Sequence, residues 1–144
     1  MSRATPPTRD AYPHFLKIPT RWNDNDSYGH VNNAVYYYFI DTVVNSYLID
    51  QGLLDLKESE TIGLAVETSC QFFGSITYPD IVHAGLRVTK LGRSSVTYDI
   101  GIFRNDETTA SARGHFVHVY VDAVTRRPTP ISDIMRHKLG EITV

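Results

Sequence analysis

A polar segment, residues 21–33, holds the side chains whose types and spacing could do chemistry. Its sequence is Arg-Trp-Asn-Asp-Asn-Asp-Ser-Tyr-Gly-His-Val-Asn-Asn, and ten of these thirteen residues are polar or glycine. Within it, Asp26 supplies a carboxylate that could attack a carbonyl carbon or take a proton from water. The same composition is also usual in a tight loop before a helix, where such residues form turns and caps. Composition alone therefore leaves a structural and a catalytic role open.

The pattern that follows this segment predicts a long, largely buried helix over residues 33–51. Apolar side chains recur there with helical spacing and leave one narrow polar stripe. Asn32 or Asn33 can cap the start of the helix, and Gly52 can end it. The first N–H groups of a helix have no partner inside it and lie at the positive end of its dipole. The polar segment therefore points into a place that favours a developing negative charge.

The rest of the chain alternates apolar and polar residues as β-strands do. We predict strands over residues 15–22 and 64–73, with three more after the Tyr78-Pro79-Asp80 turn. The rows that should share a face are Leu64, Val66, Thr68, Cys70 and Phe72; Val82, Ala84, Leu86 and Val88; Val96, Tyr98, Ile100 and Ile102; and Phe116 with Tyr120. Strands of about ten residues match the length of the helix, roughly 27 Å. This predicts an α+β fold in which a five-stranded antiparallel sheet wraps one central helix, in the order strand, helix, four strands.

Length and composition predict one domain, residues 13–144, after a flexible N-terminal arm of residues 1–12 and with a short C-terminal helix near residues 131–139. Fourteen Lys and Arg against 16 Asp and Glu argue against nucleic-acid binding. No apolar stretch reaches the length of a membrane span. Cys70 is the only cysteine and has no neighbouring base, so we expect a packed side chain in a cytoplasmic protein. The six histidines have no ligand spacing, so we expect no metal and no cofactor.

Together these residues resemble the 4-hydroxybenzoyl-CoA thioesterase family of hot-dog proteins. The polar segment fits the family's Asp-x-Asp-x-x-Gly-His-Val-Asn-Asn loop, and the resemblance extends over residues 14–139 through the Tyr-Pro-Asp turn, Leu91-Gly92-Arg93-Ser94-Ser95 and the stretch around Arg126 and Arg127. It implies a hot-dog fold and an acyl-CoA thioesterase that releases a free acid and coenzyme A. Two departures, Asn23 for a common Gly and Ser75 for a common Pro, lie away from the carboxylate and leave the acyl group open.

The resemblance also assigns roles within the site. Asp26 corresponds to the catalytic carboxylate, and the backbone N–H of Asn33 to the group that polarises the thioester carbonyl. His30 and Asn32 match positions that line the site, and we add Tyr36, from the tyrosine run at the start of the helix, as a substrate contact.

The family further implies a homodimer joined edge to edge, or a tetramer of such dimers, with each active site at the dimer interface. Lys90 and Arg93, or Arg126 and Arg127, are then candidates to hold the phosphates of coenzyme A.

Other functions remain possible on sequence grounds: a non-catalytic acyl-CoA-binding module, or a thioesterase acting on acyl-acyl-carrier protein. A magnesium-dependent phosphotransferase using Asp24 and Asp26 is disfavoured, because the residues before the pair are polar rather than a buried strand. Whether Asp26 acts as nucleophile or general base is also open, since both need the same carboxylate.

Overall fold

The computed structural model describes residues 4–54 and 60–144, and in that part of the chain the predicted order of elements is confirmed. The elements are β1 His14–Pro19, α1 Asn33–Asp50, β2 Thr61–Phe72, β3 Ile81–Leu91, β4 Ser95–Arg104, β5 Ala112–Asp122 and α2 Asp133–Gly140. The five strands form one antiparallel sheet in the order β1-β3-β4-β5-β2. The sheet therefore ends in β1 on one side and in the longer β2 on the other.

Helix α1 and the inner face of the sheet bury each other. Seven helix residues are buried: Tyr36, Phe39, Ile40, Val43, Val44, Tyr47 and Leu48. The predicted rows of β3 and β4 face them, and every one of their side chains is fully buried: Val82, Ala84, Leu86, Val88, Val96, Tyr98, Ile100 and Ile102. On β5, Phe116 and Tyr120 complete the same layer. The alternation in the sequence therefore identified the inner face of these three strands correctly.

Two predicted strands differ from the structure in their details. The first strand ends at Pro19 rather than at residue 22, because Trp22–Asp24 forms a turn of 3-10 helix. In β2, the register shifts between Ala65 and Glu67. This bulge places Leu64 opposite Val119 on the outer face, while Thr68, Cys70 and Phe72 stay on the inner face. The predicted single row from Leu64 to Phe72 is therefore wrong, because one extra residue reverses the alternation.

The residues just before β1 pack on the outer face of the sheet. Arg9–Ala11 forms a short 3-10 helix, and Tyr12 is buried with its hydroxyl donating to Asp99 Oδ1 at 3.1 Å. Asp99 also accepts from the guanidinium groups of Arg87 at 2.7 Å and Arg113 at 2.8 Å. A buried carboxylate is thus balanced by two arginines. The boundary proposed between the arm and the domain stays a prediction.

No helix within residues 4–54 and 60–144 is long and apolar enough to cross a membrane. In the same part of the chain, no three His, Cys, Asp or Glu side chains are grouped so that they could hold a metal ion.

The contact between Gly114 and Ile40 tests the packing of the helix on the sheet. A Cβ atom at Gly114 would lie 2.5 Å from Ile40 Cδ1 and 2.7 Å from Cγ1. We expect Gly114→Ala to lower the free energy of unfolding by about 1–3 kcal/mol, measured by urea denaturation at one protein concentration. Adding Ile40→Val, which removes the Cδ1 methyl group, should recover part of that loss.

Gly140→Ala is the matched control, since a Cβ there would have no atom within 4 Å. If Gly114→Ala lowers the stability no more than Gly140→Ala does, the helix is not packed on β5 as described.

Candidate active site

The two aspartates of the polar segment have different environments. Asp24 is only 1% exposed, and its carboxylate accepts hydrogen bonds from the Arg21 backbone N–H at 2.8 Å and from Arg21 Nε and Nη2 at 3.1 and 2.9 Å. Its backbone carbonyl accepts from the Asn32 N–H at 2.9 Å. Because both oxygens of its carboxylate are occupied, Asp24 holds the loop and is poorly suited to attack a substrate.

Asp26 lies at the turn of the loop with one carboxylate oxygen in use. Its Oδ1 accepts from the Tyr28 N–H at 2.8 Å, and its backbone N–H donates to the His30 carbonyl at 2.8 Å. Gly29 completes the turn with a φ of +81°, a conformation that glycine adopts without strain. Among the described residues, no donor contacts Oδ2. The carboxylate is thus fixed through one oxygen and can use the other for chemistry.

The loop closes back on itself directly before helix α1. Asn25 pairs with Val31 as an isolated antiparallel bridge, and the Asn32 side chain accepts from the Ala34 N–H at 2.9 Å, so Asn32 is the N-cap. Asn33 is the first helical residue and is exposed. In the described part of the chain, nothing accepts a hydrogen bond from its N–H. The N–H of Asn33 is thus one of the unpaired donors at the start of the helix, and its role toward a substrate stays a prediction.

The connection between β2 and β3 holds the loop in place through hydrogen bonds. Thr77 Oγ1 donates to the Gly29 carbonyl at 2.7 Å and accepts from Asn25 Nδ2 at 3.3 Å. The N–H groups of Val31 and Tyr78 donate to the Ile76 carbonyl at 2.8 Å and to Asn25 Oδ1 at 3.1 Å. Sequence reasoning missed Asn25 and Thr77 as positioning residues. The neighbouring Tyr-Pro-Asp turn was the available signal, but a contact across some fifty positions has no local pattern.

The residues predicted to contact the substrate do not all lie beside this loop. His30 is exposed beside Asp26 and contributes its carbonyl to the turn. Tyr36 is buried, with its ring centroid 5.0 Å from that of Phe72 and 6.0 Å from that of Phe39. Burial raises the pKa of Tyr36 to about 12, so it stays protonated at neutral pH. Tyr36 therefore packs in the core near the start of α1.

Lys90 and Arg93 are not near the loop in this subunit. The loop contacts the Ile81 end of β3, through the Thr20 N–H and the Asp80 carbonyl, whereas Lys90 and Arg93 lie at the other end of that strand. Nine residues of strand separate Ile81 from Lys90, which is about 30 Å. Arg126 and Arg127 are at this far end too, since Asp122 at the end of β5 donates to the Arg127 carbonyl. One subunit therefore does not bring the basic residues and Asp26 together.

Comparison with known proteins identifies the family of the chain. The family model of the Thioesterase-like superfamily matches residues 20–139. The chain is 46% identical to the PA5185 protein from Pseudomonas aeruginosa, covering 96% of each chain with a TM-score of 0.93. The PA2801 protein from the same organism is 27% identical, with 88% and 97% covered and a TM-score of 0.82.

The fold also resembles Slr0204, a 1,4-dihydroxy-2-naphthoyl-CoA thioesterase from Synechocystis. That protein is 17% identical, with 89% of this chain and 96% of the other covered, and the TM-score is 0.80. At this identity the likeness concerns the hot-dog fold alone. No curated protein matches the chain.

The N-cap of α1 can be tested separately from the chemistry. We expect Asn32→Ala to lower the free energy of unfolding by about 1 kcal/mol, because the Ala34 N–H loses its acceptor. Asn32→Ser, which keeps an oxygen at the cap, should cost much less. Urea denaturation of both variants measures the difference.

Asn33→Ala is the control, since the Asn33 side chain lies one position inside the helix and has no capping role. If Asn33→Ala lowers the free energy of unfolding as much as Asn32→Ala does, Asn32 is not the N-cap of α1.

Proposed function

The chain belongs to the Thioesterase-like superfamily, and from this premise we propose that it is an acyl-CoA thioesterase whose catalytic carboxylate is Asp26. The observation that carries the proposal is that one closed loop holds a carboxylate fixed through a single oxygen and leads directly into the N–H of the first residue of a buried helix. Thioester hydrolysis needs both a base or nucleophile and a donor for the oxyanion.

In the proposed reaction each group has one task. The thioester carbonyl oxygen accepts a hydrogen bond from the Asn33 N–H, and the positive end of the α1 dipole stabilises the negative charge that develops there. The free oxygen of Asp26 either takes a proton from the attacking water or attacks the carbonyl carbon itself. If Asp26 takes the proton from water, the hydroxide attacks the carbonyl carbon, the carbon–sulfur bond breaks, and the proton passes from Asp26 to the leaving sulfur of coenzyme A. If Asp26 attacks instead, the same bond breaks to leave an anhydride between the acyl group and Asp26, the sulfur takes its proton from water, and a water molecule then hydrolyses the anhydride to the free acid and restores the carboxylate.

Several features support coenzyme A as the leaving group. The Synechocystis thioesterase of the same fold acts on a CoA thioester by its description. Lys90 and Arg93 offer cations for its phosphates. Their distance from Asp26 in one subunit requires that a second subunit provide them.

We propose that this second subunit joins at the free edge of β2. The strand is 12 residues long, most of its side chains are exposed, and on that side no described residue pairs with its backbone. A long unpaired edge strand is a template for another chain, and a two-fold axis pairs two copies antiparallel. Such a dimer has one ten-stranded sheet, and it turns the Lys90 end of one subunit toward the Asp26 end of the other.

The first test is release of free thiol from short, long and aromatic acyl-CoAs. We expect Asp26→Asn to lower kcat by about 10²–10⁴-fold, because the amide cannot accept a proton, while folding and binding are unchanged. Asp106→Asn, at an exposed turn between β4 and β5, is the control and should be as active as the wild type.

Equal activity of Asp26→Asn and wild type would show that Asp26 is not the catalytic carboxylate. A wild type that binds acyl-CoA and releases no thiol would instead indicate a non-catalytic binding module.

The proposed oxyanion donor can be removed without changing the fold. Proline is well tolerated at the first position of a helix, and Asn32 before it has φ −59° and ψ 138°, which a following proline allows. We expect Asn33→Pro, which lacks the N–H, to lower kcat by about 10²–10³-fold. Asn33→Ala keeps the N–H and should retain the activity of the wild type.

Circular dichroism and urea denaturation establish that both variants are folded. Similar rates for the proline and alanine variants would mean that another group binds the oxyanion.

A further inference from the structure

Arg9 attaches the N-terminal segment, residues 7–11, to the outer face of the sheet. Its guanidinium donates to the backbone carbonyls of Asn105 and Glu107, at 2.8 and 2.7 Å, in the turn that follows β4. Its Cζ also lies 4.9 Å from the centroid of the Phe103 ring. One side chain therefore joins the segment both to β4 and to the turn after it.

His83 on β3 accepts a further hydrogen bond from this guanidinium. The His83 side chain is 9% exposed, and its Nδ1 lies 2.8 Å from Arg9 Nη1. A guanidinium has five N–H donors and no acceptor, so this bond forms only if Nδ1 has no proton. The docked segment therefore requires a neutral His83 ring with its proton on Nε2.

The surroundings of His83 favour the neutral ring. Lys17 lies opposite it on β1, and the uncharged Phe103 lies opposite it on β4. Burial of the ring lowers the pKa of His83, and the positive charges of Arg9 and Lys17 lower it further. Asp106, in the turn after β4, acts in the opposite direction but does not outweigh them. At neutral pH the ring is therefore uncharged and can accept from Arg9.

Protonation of His83 would replace this attraction by repulsion. The lone pair on Nδ1 that accepts from Arg9 would carry a proton, and two cationic groups would face each other across 2.8 Å. His83 itself is held in place, because β3 is paired on one side with β1 and on the other with β4. The repulsion would therefore act on the less firmly attached partner, the N-terminal segment.

The segment has few attachments other than the Arg9 side chain. Its backbone is bonded to the region after β4 through the Arg9 N–H, which donates to the Thr108 carbonyl at 2.9 Å. The Ala110 N–H donates to the Pro7 carbonyl, also at 2.9 Å. Short chain ends that are held by a few surface bonds open locally while the rest of a protein stays folded.

Tyr12 is the boundary of the part that can detach. A Cβ at Gly101 would lie 2.5 Å from Tyr12 Cε2, and one at Gly85 would lie 2.8 Å from Tyr12 Cγ, so the ring fills the space above two strands. Its hydroxyl donates to the buried Asp99. These contacts do not involve His83, so they persist when its ring is protonated.

We propose that His83 is a pH-dependent switch that controls whether the N-terminal segment is docked on the sheet. With a neutral ring, the segment is bound through Arg9. With a protonated ring, the segment detaches and uncovers the apolar cluster of Phe15, Phe103 and Ala110. This inference does not rest on the proposed thioesterase function.

The direction of the pH dependence follows from the lower pKa of the docked ring. Protons bind preferentially to the detached state, in which His83 returns toward the ordinary histidine pKa of about 6.5. Docking is therefore strongest above that pH and is lost as the pH falls below it. For one proton, the docking equilibrium constant falls by up to about tenfold for each pH unit in this range.

NMR spectroscopy can follow the ring and the segment in one titration. The His83 ring resonances report its protonation, and the ¹⁵N heteronuclear NOE of the Arg9 and Ala11 amides reports the rigidity of the segment. Between about pH 8 and 5.5, we expect the NOE to fall from the value of the neighbouring strands toward that of a disordered chain, with the same midpoint as His83. Carboxyl groups ordinarily titrate near pH ~4, so Asp10, Asp106 and Glu107 do not produce a change in this range.

Two substitutions of His83 separate its charge from its bulk. His83→Asn keeps an acceptor oxygen close to the position of Nδ1 and cannot be protonated in this range, so the segment should stay docked throughout. His83→Lys places a cation there at every pH of the titration, so the segment should already be detached at about pH 8.

His14→Asn is the matched control. His14 lies three positions from Ala11, its ring centroid is 4.9 Å from that of Tyr47, and burial lowers its pKa as it does for His83. This variant should keep the midpoint of the wild type. Loss of the transition in His14→Asn would identify His14 as the titrating group and overturn the proposal.

Arg9→Met tests the other partner and decides the question if His83→Asn does not fold. It keeps an apolar side chain over Phe103 and removes the guanidinium. The segment should then be detached at every pH, and the pKa of His83 should be higher than in the wild type. A segment that stays rigid in Arg9→Met, a wild-type segment that stays rigid at about pH 5.5, or an unchanged transition in His83→Asn each contradicts the switch.

Discussion

The burial of helix α1 is the constraint on which the rest of the structure depends. An 18-residue helix with seven buried side chains has to be enclosed by a single sheet, which must curve around it. Both ends of the helix nevertheless need polar partners, because its first N–H groups and last carbonyls have none inside it. At the N-terminus those partners come from the loop before the helix. The polar loop and the candidate active site thus arise from one requirement, since a buried helix must begin at a place where polar groups are available.

This requirement explains which parts of the protein the sequence could predict. Apolar and polar residues alternate strictly on β3, β4 and β5 because one face packs on the helix and the other does not. The periodicity of the sequence therefore predicts which face of these strands is buried. The loop was recognisable because Asn32 and Gly29 have local roles, one as a cap and one in a left-handed turn. The different tasks of Asp24 and Asp26 also follow locally, since Arg21 lies three residues from Asp24 and forms an ion pair with it.

The remaining features depend on contacts that have no local signature. The bulge in β2 is a matter of pairing with β5, and neither Ala65 nor Val66 differs from an ordinary strand residue. Thr77 supports the loop from a connection about fifty positions away in the sequence, and Asp99 is buried because two arginines on neighbouring strands balance it. Lys90 and Arg93 were placed near the substrate from charge alone. Only the strand direction reveals that they lie at the opposite end of β3 from the loop, about 30 Å of strand from Ile81.

The same strand direction explains why the free edge of β2 matters for the proposed function. A monomer of this fold has the half-buried Asp26 near the start of α1, and the exposed Lys90 and Arg93 at the far end of β3. Charges exposed to water are screened, and an oxyanion there would gain little from a single N–H. In the dimer that we propose, pairing two β2 strands would turn the ends of the two subunits toward each other and shield both sites from water. Because water exclusion would strengthen the field of the helix dipole and the Asn33 hydrogen bond together, the proposed reaction would depend on assembly even though the proposed carboxylate and oxyanion donor come from one chain.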